Sequence, residues 1–166
     1  MKILGVDLYP DTTFAEEQMF EYVPLSVLLS NSDVVTIHAP YNETTHHLLN
    51  KENISLMKKS AILINTARGE IIETAALLDA LKTGKIAGAG LDVFEKERKM
   101  KQKTNDGLSP EDLEIISQNK EIISLPNVIA TPHVAFFTNE AEEDICKVTV
   151  ENINKFISGS PQNLVK

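Results

Sequence analysis

Three side chains in the last two thirds of the sequence could together reduce an oxo acid. Arg68 follows an apolar run and stands within the stretch Asn-Thr-Ala-Arg-Gly at 65–69. A guanidinium can hold a carboxylate in a bidentate fork and polarise an adjacent ketone. A histidine such as His133 can supply the proton that the developing alkoxide needs. If Glu97 lies within hydrogen-bond reach of His133, it would favour the imidazolium form and keep an acid available near neutral pH.

Polar residues also stand at the ends of nearly all the predicted strands. Asp7, His38, Arg68, Asp92 and His133 each follow a run of β-type residues. Because ligands of open α/β sheets bind beyond the carboxyl ends of the strands, we expect these five side chains along one edge of the sheet. Three of them have an ordinary alternative: Asp7 can form a turn, His38 can be satisfied in the core or in a turn, and Arg68 can cap a neighbouring carbonyl or pair with Glu70. Glu97 could equally be a solvated loop charge.

Asp7 suggests the nucleotide that such a sheet would bind. A carboxylate after the second strand of a dinucleotide-binding fold accepts hydrogen bonds from the ribose hydroxyls and repels a 2′-phosphate. The sequence therefore favours NAD over NADP as the cofactor.

Composition and charge restrict the partners. The 166 residues are 42% hydrophobic and 24% charged, with a formal net charge of -8, which is ordinary for a globular protein and unsuited to nucleic acid or an anionic membrane surface. The single cysteine, Cys146, excludes an intramolecular disulfide framework. No apolar run approaches the roughly 20 residues of a membrane span, and the amino terminus lacks a signal-peptide pattern. We expect a cytoplasmic protein with no nucleic-acid or membrane partner.

The elements that must position these residues alternate between strand and helix. This alternation predicts an α/β fold with a largely parallel sheet, in a single domain over 1–166. From 98 to 118 the sequence is polar and charged, which predicts an insertion containing one short helix that starts at Ser109-Pro110-Glu111. Strands are predicted at 2–6, 33–37, 61–66, 86–93 and 127–133, and helices near 23–31, 50–59, 73–81 and 138–157.

Three ordered stretches resemble the signatures of the D-isomer-specific 2-hydroxyacid dehydrogenases. They are residues 64–69 (Ile-Asn-Thr-Ala-Arg-Gly), 90–97 (Gly-Leu-Asp-Val-Phe-Glu-Lys-Glu) and 126–133 (Pro-Asn-Val-Ile-Ala-Thr-Pro-His). The resemblance runs through nearly the whole chain. The long segment after Glu97 and the residues Phe136-Phe137-Thr138 are most similar to the D-lactate dehydrogenase branch, whereas Arg98 stands where proline is common in other branches.

The resemblance implies a role for each matching residue. Arg68 would bind the substrate and act in catalysis, Glu97 would be the acid paired to the histidine, and His133 would be the proton donor. The substrate would be a small 2-oxo or 2-hydroxy acid, and no metal is implied. The implied NAD contacts are Asp7, Ala39, Pro40, Thr45, Thr66, Ala67, Arg68 and Asp92.

Two departures from the family pattern affect this expectation. First, no Gly-x-Gly-x-x-Gly occurs in the sequence, and the strand that precedes this fingerprint in the family is absent too. Second, the substrate domain, which the family builds largely from residues before the fingerprint, is absent. The chain looks like a partial Rossmann-type doubly wound parallel sheet that lacks the first strand and the glycine-rich loop. We therefore expect an isolated chain to be inactive or nearly so.

The missing strand would leave a gap beside the strand at 2–6, with unpaired backbone groups on both sides. This strand could shift against the strand at 61–66, or a second copy of the chain could cover it. We favour the second course and expect a homodimer.

Two other functions stay open. A non-catalytic remnant or assembly module could keep the fold without turnover, as the missing phosphate loop suggests. A sugar- or nucleotide-binding α/β module of unrelated function would also place polar residues at strand ends.

Overall fold

The strands of the protein form two parallel sheets in the computed structural model, which describes residues 1–102 and 104–164. The smaller sheet pairs β1 (Leu4–Gly5) with β2 (Glu21–Tyr22). The larger sheet has the order β3-β4-β5-β6 and is parallel throughout. The predicted α/β class with parallel strands is confirmed. The strands of the larger sheet are β3 (Val34–Ile37), β4 (Ile62–Asn65), β5 (Gly88–Leu91) and β6 (Val128–Ala130).

Seven helices accompany the strands within the described part of the chain. The start signal predicted at Ser109 operates as expected, and Asn50 and Thr138 cap their helices in the same way: each of the three side chains accepts a backbone N–H of the following first turn. The helices are α1 (Thr12–Glu17), α2 (Leu25–Asn31), α3 (Lys51–Leu56), α4 (Thr74–Lys82), α5 (Glu97–Met100), α6 (Pro110–Ser124) and α7 (Asn139–Ile157), and a 3-10 turn spans Gly69–Ile71.

The core lies on one face of the larger sheet. Leu63 in β4 is completely buried, as are Leu29 of α2, Ile71 and Ile86. Strand side chains alternate between the two faces, so the neighbours of the core residues point away from it. Ile62, beside Leu63, is 42% exposed for this reason. The apolar run of β4 therefore forms a strand that is buried on one face.

The gap expected in the sheet is present as an interruption between β1 and β3. In the described residues, β1 pairs with β2 and with no other strand, and β3 pairs with β4 alone. The shift of β1 against β4 does not occur, because β3 and β5 already occupy both edges of β4. This alternative from the sequence is wrong for the structure.

The elements α1 and β2 were not predicted. They are short, and residues 12–22 are too few to develop an apolar period. An aromatic cluster holds them: the ring centroids of Phe14 and Phe20 lie 5.8 Å apart, and those of Phe20 and Tyr22 lie 5.0 Å apart. Asp11 caps α1 by accepting the Phe14 N–H.

The polar segment at 98–118 has more structure than one short helix; its residue Lys103 lies outside the described residues. The helix α6 starts at the predicted Ser109-Pro110 signal but runs for 15 residues, well past 118. It is long because Ile116 and Ile122 are buried where α6 packs against α4. The prediction of a short helix is corrected accordingly.

A capping box fixes the start of α6. Ser109 accepts the Asp112 N–H, and the Asp112 carboxylate accepts the Ser109 N–H. Lys99 of α5 donates to the same carboxylate at 2.6 Å. The Lys99 hydrogen bond, followed by that from the Ser109 backbone, lowers the pKa of Asp112 from 3.8 to about 2. These hydrogen bonds join α5, near the start of the polar segment, to the first turn of α6.

The described chain divides into two compact units, Met1–Pro132 and His133–Lys166, the last two residues of which are outside the description. The first unit contains both sheets, and the second contains α7. The single domain predicted over 1–166 stays a prediction. No helix in the described residues is long and apolar enough to cross a membrane.

Candidate active site

The carboxyl ends of the four larger strands form one row. Ile37, Asn65, Leu91 and Ala130 are paired across β3, β4, β5 and β6. The residues that follow these strands therefore meet at one edge of the sheet, as expected. Within the first unit the residues at this edge are His38, Ala39, Thr66, Asp92 and Thr131.

Asn65 holds the turn that carries Arg68. Its side chain is completely buried, donates to the carbonyl of Arg68 at 2.8 Å and accepts the N–H of Ala67 at 3.0 Å. The backbone of Asn65 also accepts the N–H of Asp92 at 3.0 Å. The turn is thus closed by a residue that the sequence analysis included in the motif but gave no role. Its signal was a polar residue at the end of an apolar strand.

The Arg68 side chain is exposed at the end of this turn. Its Nη1 donates to the carbonyl of Ala67 at 2.6 Å, so the carbonyl-capping alternative is realised in part. A guanidinium has five N–H donors, and this contact leaves others able to form a fork with a carboxylate.

Gly69 brings this turn against the segment that leads to Glu97. A Cβ at Gly69 would lie 2.0 Å from the carbonyl carbon of Phe94 and 2.2 Å from the nitrogen of Glu95. A side chain at this position would therefore push the two segments apart. Glycine here permits the close approach of Arg68 to the loop at 92–97.

Asp92 and Glu97 occupy the two ends of that loop. Asp92 is buried, and Thr131 donates its hydroxyl to the Asp92 carboxylate. Glu97 begins α5 after Lys96, which has a left-handed backbone with φ of 56°. The Glu97 carboxylate is mostly buried and pairs with Lys101 at 2.6 Å. The solvated-loop alternative for Glu97 is therefore a poor description.

The loop after β3 contains the other expected nucleotide contacts. Ala39 is half-buried and Pro40 is exposed, whereas Thr45 is buried. Thr45 donates its hydroxyl to the Pro40 carbonyl at 2.7 Å and accepts the Asn42 N–H at 2.9 Å. The hydroxyl of Thr45 thus braces the loop.

His38 and Asp7 both make local contacts. The Nε2 of His38 lies 2.9 Å from the Thr36 hydroxyl, and the Asp7 carboxylate accepts the Tyr9 N–H at 2.8 Å. Asp7 follows β1, so it belongs to the smaller sheet. The expectation that all five strand-end residues share one sheet edge is wrong for Asp7, because the smaller sheet is not paired to the larger one.

His133 is the first residue of the second unit and is described with that unit. It is half-buried and has a left-handed backbone with φ of 62°, which is uncommon for a residue other than glycine. Its roles as proton donor and as partner of Glu97 stay predictions.

The structure adds a buried cluster that sequence reasoning missed. Glu95 is 5% exposed, and its carboxylate contacts Nε2 of His47 at 3.1 Å and accepts the Thr74 hydroxyl at 2.7 Å. Asn119 of α6 donates to the Glu95 carbonyl at 2.8 Å. A charged residue directly after the buried run Leu91–Phe94 was the available signal.

The described residues fit part of an NAD molecule. Asp7 has an exposed carboxylate able to accept ribose hydroxyls, and the braced edge formed by Thr66, Ala67 and Asp92 lies where α/β sheets bind ligands. The sequence offers no glycine-rich turn for the pyrophosphate. The residues at the edge of the larger sheet and the exposed carboxylate of Asp7 are therefore chemically compatible with part of such a site, and their contacts with NAD stay predictions.

Comparisons with known proteins agree with this architecture. A family model described as "D-isomer specific 2-hydroxyacid dehydrogenase, NAD binding domain" matches residues 1–135. The chain is 39% identical over 166 residues to a glycerate dehydrogenase of Methylorubrum extorquens, covering 100% of this chain and 46% of that protein. It is 37% identical over 160 residues to a D-lactate dehydrogenase of Treponema pallidum, covering 96% and 46%. The chain thus spans about half the length of the relatives it matches.

Solved structures give the same result. A crystal structure of the Treponema pallidum D-lactate dehydrogenase superposes with a TM-score of 0.84 at 36% identity, over 99% of this chain and 48% of that one. An NAD-complexed D-isomer-specific 2-hydroxyacid dehydrogenase from Lactobacillus delbrueckii superposes with a TM-score of 0.83 at 32% identity, over 99% and 48%. The chain therefore belongs to the D-isomer-specific 2-hydroxyacid dehydrogenase family, within which it corresponds to the NAD-binding domain.

Proposed function

We propose that this chain is part of an NAD-dependent D-2-hydroxyacid dehydrogenase of the D-lactate dehydrogenase type that interconverts a 2-oxo and a 2-hydroxy acid. The observation that carries this proposal is the buried Asn65, which closes the turn presenting Arg68 beside the loop to Glu97. Such bracing is what a substrate-holding arginine requires, since its fork must be fixed in direction.

Arg68 binds the substrate in this proposal. Its guanidinium donates two hydrogen bonds to the carboxylate of a 2-oxo acid and polarises the neighbouring ketone. The exposure of Arg68 and its remaining N–H donors support this role.

His133 donates the proton that the reduced ketone oxygen takes up, and Glu97 stabilises the imidazolium that donates it. The mostly buried position of the Glu97 carboxylate supports its role, because a carboxylate away from water acts more strongly on a neighbouring cation.

When bound as NADH, the cofactor would supply the hydride. The residues that would hold it are Asp7, Ala39, Pro40, Thr45, Thr66, Ala67, Arg68 and Asp92. Asp7 accepts the ribose hydroxyls and disfavours a 2′-phosphate. Thr45 keeps the loop from Ala39 in place, and Asp92, fixed by Thr131, faces the strand edge.

Oxidation of NADH with pyruvate, and with a larger 2-oxo acid, tests the function. It is recorded for the chain alone and after a chain carrying the family's glycine-rich strand and substrate domain has been added. We expect little or no turnover alone and clear turnover in the complemented assembly. Turnover of the chain alone would show that the additional segments are dispensable, whereas none in either sample would favour the non-catalytic assembly module.

Substitutions of Arg68 separate charge from geometry. Arg68→Ala in the complemented assembly should remove nearly all oxo-acid reduction, and Arg68→Lys should recover little, because a lysine keeps the charge but loses the planar fork. Full activity in Arg68→Lys would contradict the bidentate role. His133→Gln should lower the rate with little change in NADH affinity.

We also propose that the chain forms a homodimer through the smaller sheet. The residues flanking β1 are apolar and exposed: Ile3 is 47% exposed, Val6 44% and Leu8 70%. A second copy could cover this edge by strand pairing. Light scattering at micromolar concentration should give a dimer, and deletion of residues 1–6 should weaken it. A stable, well-folded monomer would contradict this assignment.

A cytoplasmic location is the last part of the proposal. It is supported by the single cysteine, Cys146, which is exposed as a free thiol. Fractionation of cells that express the tagged protein should recover it with the cytoplasmic markers, and recovery with the membranes would contradict this location.

A further inference from the structure

Glu95 is a buried carboxylate for which the proposed chemistry has no use. Its side chain is 5% exposed, and both of its carboxylate oxygens are engaged, one by His47 and the other by Thr74. Burying a carboxylate is costly unless hydrogen bonds and opposite charge compensate it. A fold would keep such a group where it joins segments that must stay together.

The contacts of Glu95 reach three other parts of the fold. His47 ends the loop from Ala39 that carries the expected nucleotide contacts, and Thr74 is the first residue of α4. Asn119 of α6 holds the Glu95 backbone. Glu95 itself lies two residues before Glu97. A Cβ on Gly69 would lie 2.2 Å from the backbone nitrogen of Glu95.

The surroundings of His47 keep its ring directed at Glu95. The His46 ring stacks on the His47 ring with a centroid distance of 3.9 Å, and the His47 N–H donates to the Glu70 carbonyl at 3.0 Å. The hydroxyl of Tyr41 lies 3.4 Å from Nδ1 of His46. The backbone of His47 has φ of 49°, a conformation that this packing must hold in place.

We propose that Glu95 is a positioning residue that, through His47 and Thr74, fixes the nucleotide loop and the Glu97 segment relative to Arg68. The proposal rests on the function proposed above and adds residues that contact neither substrate nor NAD. Nε2 of His47 carries the proton donated to Glu95, whereas Glu111, an exposed glutamate in the first turn of α6, lies outside this network and serves as the matched control.

Imidazole NMR of the chain alone tests the network. The sequence has four histidines, so single His→Gln variants assign their ring signals. We expect a slowly exchanging Nε2 proton on His47 in the wild type, its loss in Glu95→Ala, and its retention in Glu111→Ala. Backbone amides at 39–45 and 66–69 should shift in Glu95→Ala. If Glu95→Ala does not fold, Glu95→Gln serves in its place, with the His47 proton exchanging faster. An unchanged His47 ring in a folded Glu95 variant would overturn the proposal.

Kinetics of the complemented assembly test positioning. Glu95→Ala should lower kcat by roughly ten- to a hundredfold, as misplacement of a catalytic group does, while the KM for the oxo acid changes less. Glu95→Gln, which keeps the size and part of the hydrogen bonding, should recover part of the rate, and Glu111→Ala should leave it unchanged. Normal kcat in Glu95→Ala would overturn the positioning role. Absence of turnover in the wild-type assembly would refute the proposed function instead, and the imidazole spectra would still decide whether the network exists.

Discussion

The larger and smaller sheets differ in how firmly they hold the polar residues at their ends. In the larger sheet, Arg68 stands on a turn closed by the buried Asn65 and pressed against the next loop at Gly69. In the smaller sheet, Asp7 follows a strand of two residues and accepts one local N–H, from Tyr9. The difference teaches that the turn carrying Arg68 is fixed by buried contacts within this chain, whereas Asp7 is held by a local contact alone in the described residues.

Loss of a core side chain should show the largest difference in stability between the two sheets. Leu63→Ala should lower the free energy of unfolding by about 3 kcal/mol, because Leu63 is completely buried in β4. In samples diluted until the chain is monomeric, Val6→Ala, beside β1, should change it by less than about 0.5 kcal/mol, since Val6 is 44% exposed within one chain. Urea unfolding of both variants measures the contrast. Equal losses in the diluted samples would mean that the smaller sheet is packed as firmly as the larger one, which would contradict the contrast.

The close approach at Gly69 should be the next most sensitive feature. Gly69→Ala should destabilise by about 2 kcal/mol, because its Cβ would meet the backbone of Phe94 and Glu95. Gly84→Ala is the matched control: its Cβ has open space, but φ of +65° still costs roughly 1 kcal/mol. Gly69→Ala should also perturb the amide signals of Arg68 and Glu97, which Gly84→Ala should not. The reverse order of stabilities would contradict the steric account.

The sequence predicted the larger sheet better than the smaller one for a physical reason. The strands β3 and β4 are apolar runs that end in polar residues, and a buried strand needs such a run. The two-residue strands β1 and β2 depend on the aromatic contacts of Phe20. These contacts join residues that are near in sequence but follow neither the strand period nor the helix period.

The site shows the same division. The positions of Arg68 and Asp92 beyond β4 and β5 could be predicted because each residue follows an apolar run, whereas their roles stay predictions. The supporting contacts could not, since the pairing of Glu95 with His47 spans 48 positions and follows from packing. The length of α6 was missed because its polar surface hides the spacing of its two buried isoleucines, Ile116 and Ile122.

Loss of the α6 cap should lower the stability by less than the Leu63 and Gly69 substitutions do, and part of the effect should depend on pH. Ser109→Ala should cost about 1 kcal/mol, as is usual for a lost N-cap. The pKa of Asp112 is lowered to about 2 from 3.8, so ionised Asp112 stabilises the fold above pH 3.8, and this contribution is lost as the pH falls toward 2.

The substitution Asp112→Asn measures this contribution. The variant should unfold at a lower temperature than wild type near neutral pH, and the difference should shrink as the pH falls from 3.8 toward 2. Glu111→Gln, at the neighbouring exposed position, should show a smaller difference. A destabilisation of Asp112→Asn that stays constant down to acid pH would show that packing, and not charge, fixes the cap.

Calorimetric titration of the chain with NADH, with NADPH as the control, tests the central claim most directly. If the braced edge of the larger sheet is a preformed part of an NAD site, NADH should bind saturably at one site per chain, and NADPH should bind more weakly because Asp7 repels its 2′-phosphate. Absence of saturable NADH binding would contradict the claim that this chain builds a working part of the site.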